Sequence, residues 1–398
     1  MGWYQSYGTA GLSTWIKFVI IFVLCSWIPS SLAGVLERDV SSTENMTNGN
    51  GSSSEVSDTA VHHHFIIGII SDNDEKSKSV KKPKTWESKF VRGKLIWDDT
   101  IRHLAVEFDI KNTKVLRSGF NSEGRGMELS ELIYYDSVLT AFDDKTGIVY
   151  KIENGEVFPW VILASGNGKI NKGFKSEWAT VKEDKLIVGS HGTTKDTDWI
   201  KIISPSGVVE HVNWTEHYAK LMNISDCGGY LTHEAVCWSE IHGKWFFLPR
   251  KCSKEPYSLE DSYNMKSSNI LISTDENFQN FRQAQVGMLV PAQGFSSFKF
   301  LPDSNDTIIV ALKTIEVNSA YKTHITAFTI EGEILLEDTL ISDGDKFEGL
   351  EFIHPYDPIL KYVAPEPSSA SLLHLQFSGK VFILGSTLSL LFFNLIKL

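Results

Sequence analysis

Five short stretches of this chain repeat one pattern, and no other feature limits the fold as much. In ELSELIYY (128–135), KSEWATVK (175–182), THEAVCWS (232–239), GFSSFKFL (294–301) and FEGLEFI (347–353), largely apolar residues follow an oxygen-bearing one, two and four places on. The matched residues are Ser130, Glu177, Glu234, Ser296 and Glu348, separated by 47, 57, 62 and 52 positions. Side chains alternate along a strand, so Glu348 would share a face with Leu350 and Phe352, where an uncompensated charge is costly. A strand start recurring at this period is the mark of one sheet per unit arranged about an axis. The expectation is an all-β fold, a five-bladed β-propeller that brings five oxygen ligands to one end of its central tunnel.

The intervening sequence agrees. HLAVEFDI (103–110), GIVYKIENGEVFPWVIL (147–163), DKLIVGS (184–190), WIKIISPSGVVEHV (199–212), GKWFFLP (243–249), NILIST (269–274), TIIVALK (307–313) and HITAFTIEGEILLEDT (324–339) read as strands or hairpins bounded by turns. No long run of helical period competes with them. A length of 398 residues would otherwise suggest several domains, but propellers often exceed that scale as one unit. The formal charge of -11 and the absence of a basic stripe argue against nucleic acid as a partner.

Both ends carry targeting patterns. Residues 1–33 end in WIKFVIIFVLCSWIPSSLA, whose lysine, apolar run and small residues Ser31 and Ala33 fit a signal peptide cleaved after Ala33, with a signal-anchor as the rival. Residues 34–60 are rich in Ser, Thr, Asn and Gly and read as a disordered, glycosylated stem before a propeller domain spanning 61–363. In the tail, 364–398, small residues, a spacer and an apolar end have the layout of a GPI signal, and a plain tail anchor is the alternative. Sequons at Asn45, Asn50, Asn213, Asn223 and Asn305 suit a lumenal or extracellular chain. The expected location is therefore the secretory pathway: secreted or at the cell surface, or on an endoplasmic reticulum or Golgi membrane. Outside the leader, Cys227, Cys237 and Cys252 allow one disulfide and one free or intermolecular thiol.

Three glutamates converging in a partly dry channel repel one another unless a cation joins them. Carboxylates with serine oxygens make a hard-oxygen set that suits Ca²⁺ better than Zn²⁺. The bland alternative is a ring of ordinary polar strand ends.

RGMELSEL, DDKTG, KGFKSEW, HEAVCW, KWFFLPR, GFSSFKF and FEGLEF, in this order, closely resemble the soluble calcium-activated nucleotidase family, the apyrases. The resemblance runs from about Ile66 to Ile353. It implies a five-bladed propeller with calcium in the tunnel and hydrolysis of nucleoside di- and triphosphates such as UDP, GDP, ADP and ATP. It places the calcium ligands at Ser130, Glu177, Glu234, Ser296 and Glu348. Where the family pattern reads ELSDL, this chain has Glu131, whose longer arm would reach the metal through water. Related enzymes dimerise, so a homodimer is a further implication.

Phosphoanhydride hydrolysis needs positive charge on the polyphosphate, a positioned water and a proton acceptor. Arg125, Lys172, Lys175 and Arg250 lie in motif segments near the expected metal end and are the candidate phosphate binders. Asp72 and Asp74 in SDND, just past the apolar strand FIIGII, are the candidates for water activation. Asp143 and Asp144 in DDKTG read as a turn, and His233 should point away from Glu234. No P-loop or G-x-S-x-G elbow is present. The rival class is a propeller that only binds protein or glycan, with calcium as a structural pin. A further rival is hydrolysis of another calcium-chelated ester.

Overall fold

The computed structural model describes residues 62–258, 265–317 and 320–354. The leader, the stem with Asn45 and Asn50, and the tail lie outside them. Among the described residues no helix is long and apolar enough to cross a membrane.

Sequence-adjacent strands pair antiparallel through short turns into five sheets of four or five strands. Blade one comprises Leu129–Tyr135, Val138–Asp143, Ile148–Glu153 and Glu156–Ile162; blade two comprises Trp178–Lys182, Lys185–Gly189, Trp199–Ile203 and Val209–Asn213. Blade three runs through Tyr230–Ser239, Lys244–Ser253, Ile270–Asp275 and Phe281–Gln285, and blade four through Gln293–Phe300, Ile308–Val317, Ala320–Thr329 and Ile334–Asp343. Blade five joins both ends of the domain. Its inner strand Phe347–Phe352 pairs with His62–Ser71, which pairs with Trp86–Asp98, and that strand takes both His103–Phe108 and Lys114–Ser118 as partners. The architecture is the five-bladed β-propeller expected from the repeat, and all five matched segments form or lead into innermost strands.

One apolar cluster fills each junction between neighbouring blades. Ile67, Ile69, Val310, Leu312 and Leu350 sit between blades four and five, and Ile70, Phe90, Leu132 and Tyr150 between five and one. Between blades two and three the filling is aromatic, with Trp178, Trp214, Trp245 and Phe278 buried together. A ten-residue helix, Thr215–Ile224, adds Tyr218 and Leu221 to this junction. The strand reading did not include it, because a helix this short presents too few turns for its period to stand out. Cys227 and Cys252 form the disulfide, and Cys237 is a buried free thiol.

The innermost strands are not regular where the matched residues stand. In blade one, Leu129 faces Asp143 and Glu131 faces Phe142, so Ser130 is the extra residue of a β-bulge. Glu234 falls between the pairs His233↔Pro249 and Ala235↔Leu248, and Ser296 between Phe295↔Lys313 and Ser297↔Leu312. Glu348 is skipped between Ile70↔Gly349 and Ser71↔Phe347. In blade two, Trp178 pairs with Gly189 and the Glu177 amide donates to the same Gly189 carbonyl, 2.9 Å away. The strict alternation that put Glu348 on the face of Leu350 and Phe352 is therefore interrupted at Glu348 itself. Leu350 packs into the blade four–five core, whereas the Glu348 carboxylate meets Arg250.

The inner strands crowd closely at the axis: a Cβ at Gly349 would lie 2.7 Å from the Leu132 backbone of blade one. The closing strand is thus both the last element of the sheet and a wall of the tunnel. Leu350 is fully buried there. Leu350→Ala should cost roughly 3 kcal/mol, measured by denaturant unfolding, because a leucine side chain is removed from a packed junction.

Candidate active site and metal centre

Glu177, Glu234 and Glu348 open onto a cavity of about 190 Å³ lined also by Asp72, Asp74, Asp144 and Glu316 and by Lys175, Arg250, Lys251 and Lys346; Ser130 and Ser296 do not line it. His191, Thr232, Thr314 and an apolar sector around Tyr257 complete it. Seven carboxylates face four side-chain cations, so the lining carries three carboxylates in excess. An enclosure with that imbalance favours a multivalent cation.

Arg250 and Lys175 each bridge acids from different blades, and Lys346 does so through Glu316, 3.9 Å away. Arg250 Nη1 donates to Glu348 Oε1 at 2.8 Å and also to Glu234 Oε2, while Glu316 lies 3.9 Å away. Arg250 fits because its neighbour is Gly294; a Cβ there would come within 2.5 Å of Arg250 Cγ. Lys346 Nζ is 2.9 Å from Asp74, 3.3 Å from Asp72 and 3.7 Å from Glu348. Lys175 joins Asp144 and, at 2.7 Å, Glu177.

Burial dominates the titration of these acids. It raises Asp72 to about 7 against the pull of Lys346. It raises Glu234, and Glu348 well above the carboxylate range, despite Arg250. At Asp74 burial pushes the same way, but Lys346 and the Tyr321 hydroxyl outweigh it and hold the carboxyl low. Burial alone would lower Lys346, yet Asp72, Glu348 and Asp74 overcome it and keep the ammonium charged.

The residues fit a calcium ion. Glu177, Glu234 and Glu348 offer carboxylates to one cavity, and Ser130 Oγ is buried with no hydrogen-bond partner. Ser296 is buried on blade four, its hydroxyl donating to the Phe347 carbonyl at 3.5 Å. Asp72, Asp74 and Glu128 make a further acidic group, with ligand atoms within 4.8 Å of one another. Arg125 occupies that group, donating to Glu128 at 2.8 Å and to Asp74 at 3.4 Å.

A family model described as Apyrase matches residues 73–353. The chain belongs to the apyrase family. It is 44% identical over 303 residues to an apyrase of Cimex lectularius, covering 73% of this chain and 82% of that protein. Identity is 43% over 301 residues with soluble calcium-activated nucleotidase 1 of Rattus norvegicus, covering 73% and 74% of the two chains. With apyrase apy-1 of Caenorhabditis elegans it is 36% over 302 residues, covering 72% and 84%. Family membership makes the chain an enzyme of the nucleotide-phosphatase class.

As an apyrase, the chain places most of its expected site residues together. Asp72, Asp74, Lys175, Glu177, Glu234, Arg250 and Glu348 all line the cavity. Glu131 does not: the bulge at Ser130 turns it toward Ser297 at 3.0 Å and Lys299 at 3.1 Å. Arg125 stands at the edge, held by Glu128, and Lys172 is exposed outside the lining. Asp143 performs the turn role, accepting from the Lys145 and Thr146 amides at 3.1 Å, whereas Asp144 belongs to the cavity. His233 is buried and stacked on Tyr218. Sequence reasoning missed Lys346, Glu316, His191 and Glu128. For Lys346 and Glu128 a signal existed, since each stands two places before a matched residue.

Asp72, Asp143 and Glu351 are raised to about 7 and Glu128 to about 8, with burial the largest cause each time. Their unfolded values lie near 4, so they bind protons more tightly in the fold. The stability they contribute is complete below about pH 4 and is lost as pH rises through 7 to 8. In chelator, the melting temperature should therefore fall as pH rises from about 4 to about 8, as read by calorimetry.

Proposed function

We propose that this enzyme hydrolyses the phosphoanhydride bonds of nucleoside di- and triphosphates, among them UDP, GDP, ADP and ATP, in a calcium-dependent reaction. The observation that carries the proposal is the shared cavity of Glu177, Glu234 and Glu348, whose acidic excess is interleaved with Lys175, Arg250 and Lys346. Such a lining suits a cation and a polyphosphate together. It is less suited to a neutral ester, which brings no charge for the ammonium and guanidinium groups. The relatives named for calcium activation support the same reading.

Glu177, Glu234 and Glu348, with oxygens of Ser130 and Ser296, would hold the ion. When bound, calcium supplies positive charge to phosphate oxygens and orients water. Arg250 offers a planar fork for phosphate oxygens, with Lys175 and Lys346 as point charges beside it. Asp72 has the properties of the proton acceptor. The Asp74 amide donates to its Oδ1 at 2.9 Å and fixes its direction, and a value near 7 lets it take a proton from water around neutral pH. Asp74, held ionised by Lys346, keeps that ammonium in place.

The setting we propose is lumenal or extracellular. Asn213, Asn223 and Asn305 are exposed, as glycosylation would require, and the terminal apolar segments supply entry and anchoring patterns. In the secretory pathway the activity would remove the UDP or GDP left by sugar transfer; outside the cell it would lower ATP and ADP.

Purified protein should release phosphate from UDP or ADP with calcium and lose that activity in chelator; equal release in both would refute calcium dependence. Glu348→Ala should move the calcium activation curve to higher concentration while leaving a β-rich circular dichroism spectrum. Ser130→Ala should move it less if the main-chain oxygen is the donor. Asp72→Asn should lower kcat by about 10²-fold or more with little change in KM, and abolish the rise of rate with pH through the neutral range.

A further inference from the structure

The junction between blades two and three is not completely filled. A second cavity, of about 220 Å³, lies there and shares no lining residue with the acidic cavity at the axis. Part of its wall is a sheet face. Ile187 pairs with Ile202 and Ile200 with Val212, so these four aliphatic side chains stand on the same side of blade two. The rest of the apolar wall is aromatic. Trp214 meets Trp245 edge-on at 5.1 Å and Phe278 at 5.4 Å, so the three rings brace one another. The rim is charged but balanced: Lys182 joins Glu183 and Glu276, each at 2.8 Å, and the exposed Lys185 makes two cations for two acids. His217 also lines the cavity. It stacks on Phe278 with ring centroids 4.2 Å apart, and its Nδ1 is buried with no hydrogen-bond partner. Burial, with Lys220 second, lowers the imidazole from its usual value and keeps it neutral, so one of its nitrogens is an acceptor.

We infer that this cavity binds a small, neutral, flat aromatic molecule of the indole or phenol class, whose N–H or O–H donates to His217 Nδ1. Each part of that description follows from the lining. An apolar cavity of about 150 Å³ accepts benzene, so this one has room for two fused rings. Flatness suits a space walled by a sheet face and by aromatic rings, where stacked and edge-on contacts add to apolar burial. Neutrality follows from the balanced rim, which leaves no surplus charge for a carboxylate, an amine or a phosphate. The single donor follows from His217, since a buried ring nitrogen without a partner is costly until one arrives. A saturated hydrocarbon chain would satisfy the walls and leave that nitrogen unpaired. The site stands apart from the acidic cavity and does not depend on the proposed hydrolysis.

Calorimetric titration of the full chain with indole should show one site, with a dissociation constant of about 100 µM, a strength open to a ligand of that size. Inorganic tripolyphosphate should not displace it. Val212→Phe, which projects a ring into the space, should weaken binding by roughly tenfold or more. His217→Phe keeps the stacked ring and removes the nitrogen. Indole should then bind about fivefold more weakly, the size of one lost hydrogen bond. Benzofuran, which has the same outline and no N–H, should bind wild type and His217→Phe alike. A crystal soaked in 5-bromoindole should place its bromine peak beside Val212 and Trp214, which locates the site even if the Val212 variant fails to fold. No binding of indole at millimolar concentration, displacement by tripolyphosphate, a bromine peak elsewhere, or equal losses of indole and benzofuran in His217→Phe would each overturn the assignment.

Discussion

The site depends on a break in β-sheet pairing at the same place in every blade. A regular inner strand would send alternate side chains into the two junctions beside it, leaving little besides backbone toward the axis. The extra residue at Ser130, Glu234, Ser296 and Glu348, and the doubled use of Gly189 by Glu177 and Trp178, release one side chain per blade from that alternation. Apolar packing then continues undisturbed, with Leu132, Val236, Phe298 and Leu350 in the cores just beyond each bulge. The fold can thus concentrate charge at its centre without placing it in an apolar junction.

That concentration has an electrostatic consequence. Within the cavity the acids outnumber the bases, and the bases are shared: Arg250 serves acids of three blades, Glu234, Glu316 and Glu348, and Lys346 spans Asp72, Asp74 and Glu348. Burial drives the shared carboxylates toward their protonated forms. A cation and an anionic substrate therefore act on the same balance from opposite sides. The first satisfies the surplus carboxylates, and the second engages the lysines and the arginine. On the proposed reading this coupling is why one small cavity serves both metal and phosphate.

Much of this was legible in the sequence, for physical reasons. A lone oxygen-bearing residue among apolar ones, repeated at propeller spacing, is hard to explain unless those residues meet, and three of the five, Glu177, Glu234 and Glu348, line one cavity. The bulges were not legible, because a one-residue skip leaves the local composition unchanged. Glu131 shows the effect: adjacent to Ser130 in sequence, it ends on Lys299 and Ser297 instead. Charge partners were equally hidden. Arg125 lies in a motif segment but is held by Glu128, while Lys346, Glu316 and Asp144 become site residues only once the ring closes. The ring closes through the pairing of His62–Ser71 with Phe347–Phe352, a contact between opposite ends of the domain that no local pattern announces.

On the proposed reading, one doubly charged ion is gathered at the axis by Glu177, Glu234 and Glu348 with oxygens of Ser130 and Ser296. Anomalous difference density from crystals grown with calcium tests it most directly. The account predicts a single strong peak between the Glu177, Glu234 and Glu348 carboxylates, with oxygens of Ser130 and Ser296 completing its surroundings. A peak confined to Asp72, Asp74 and Glu128, or no ordered ion near the axis at saturating calcium, would contradict it.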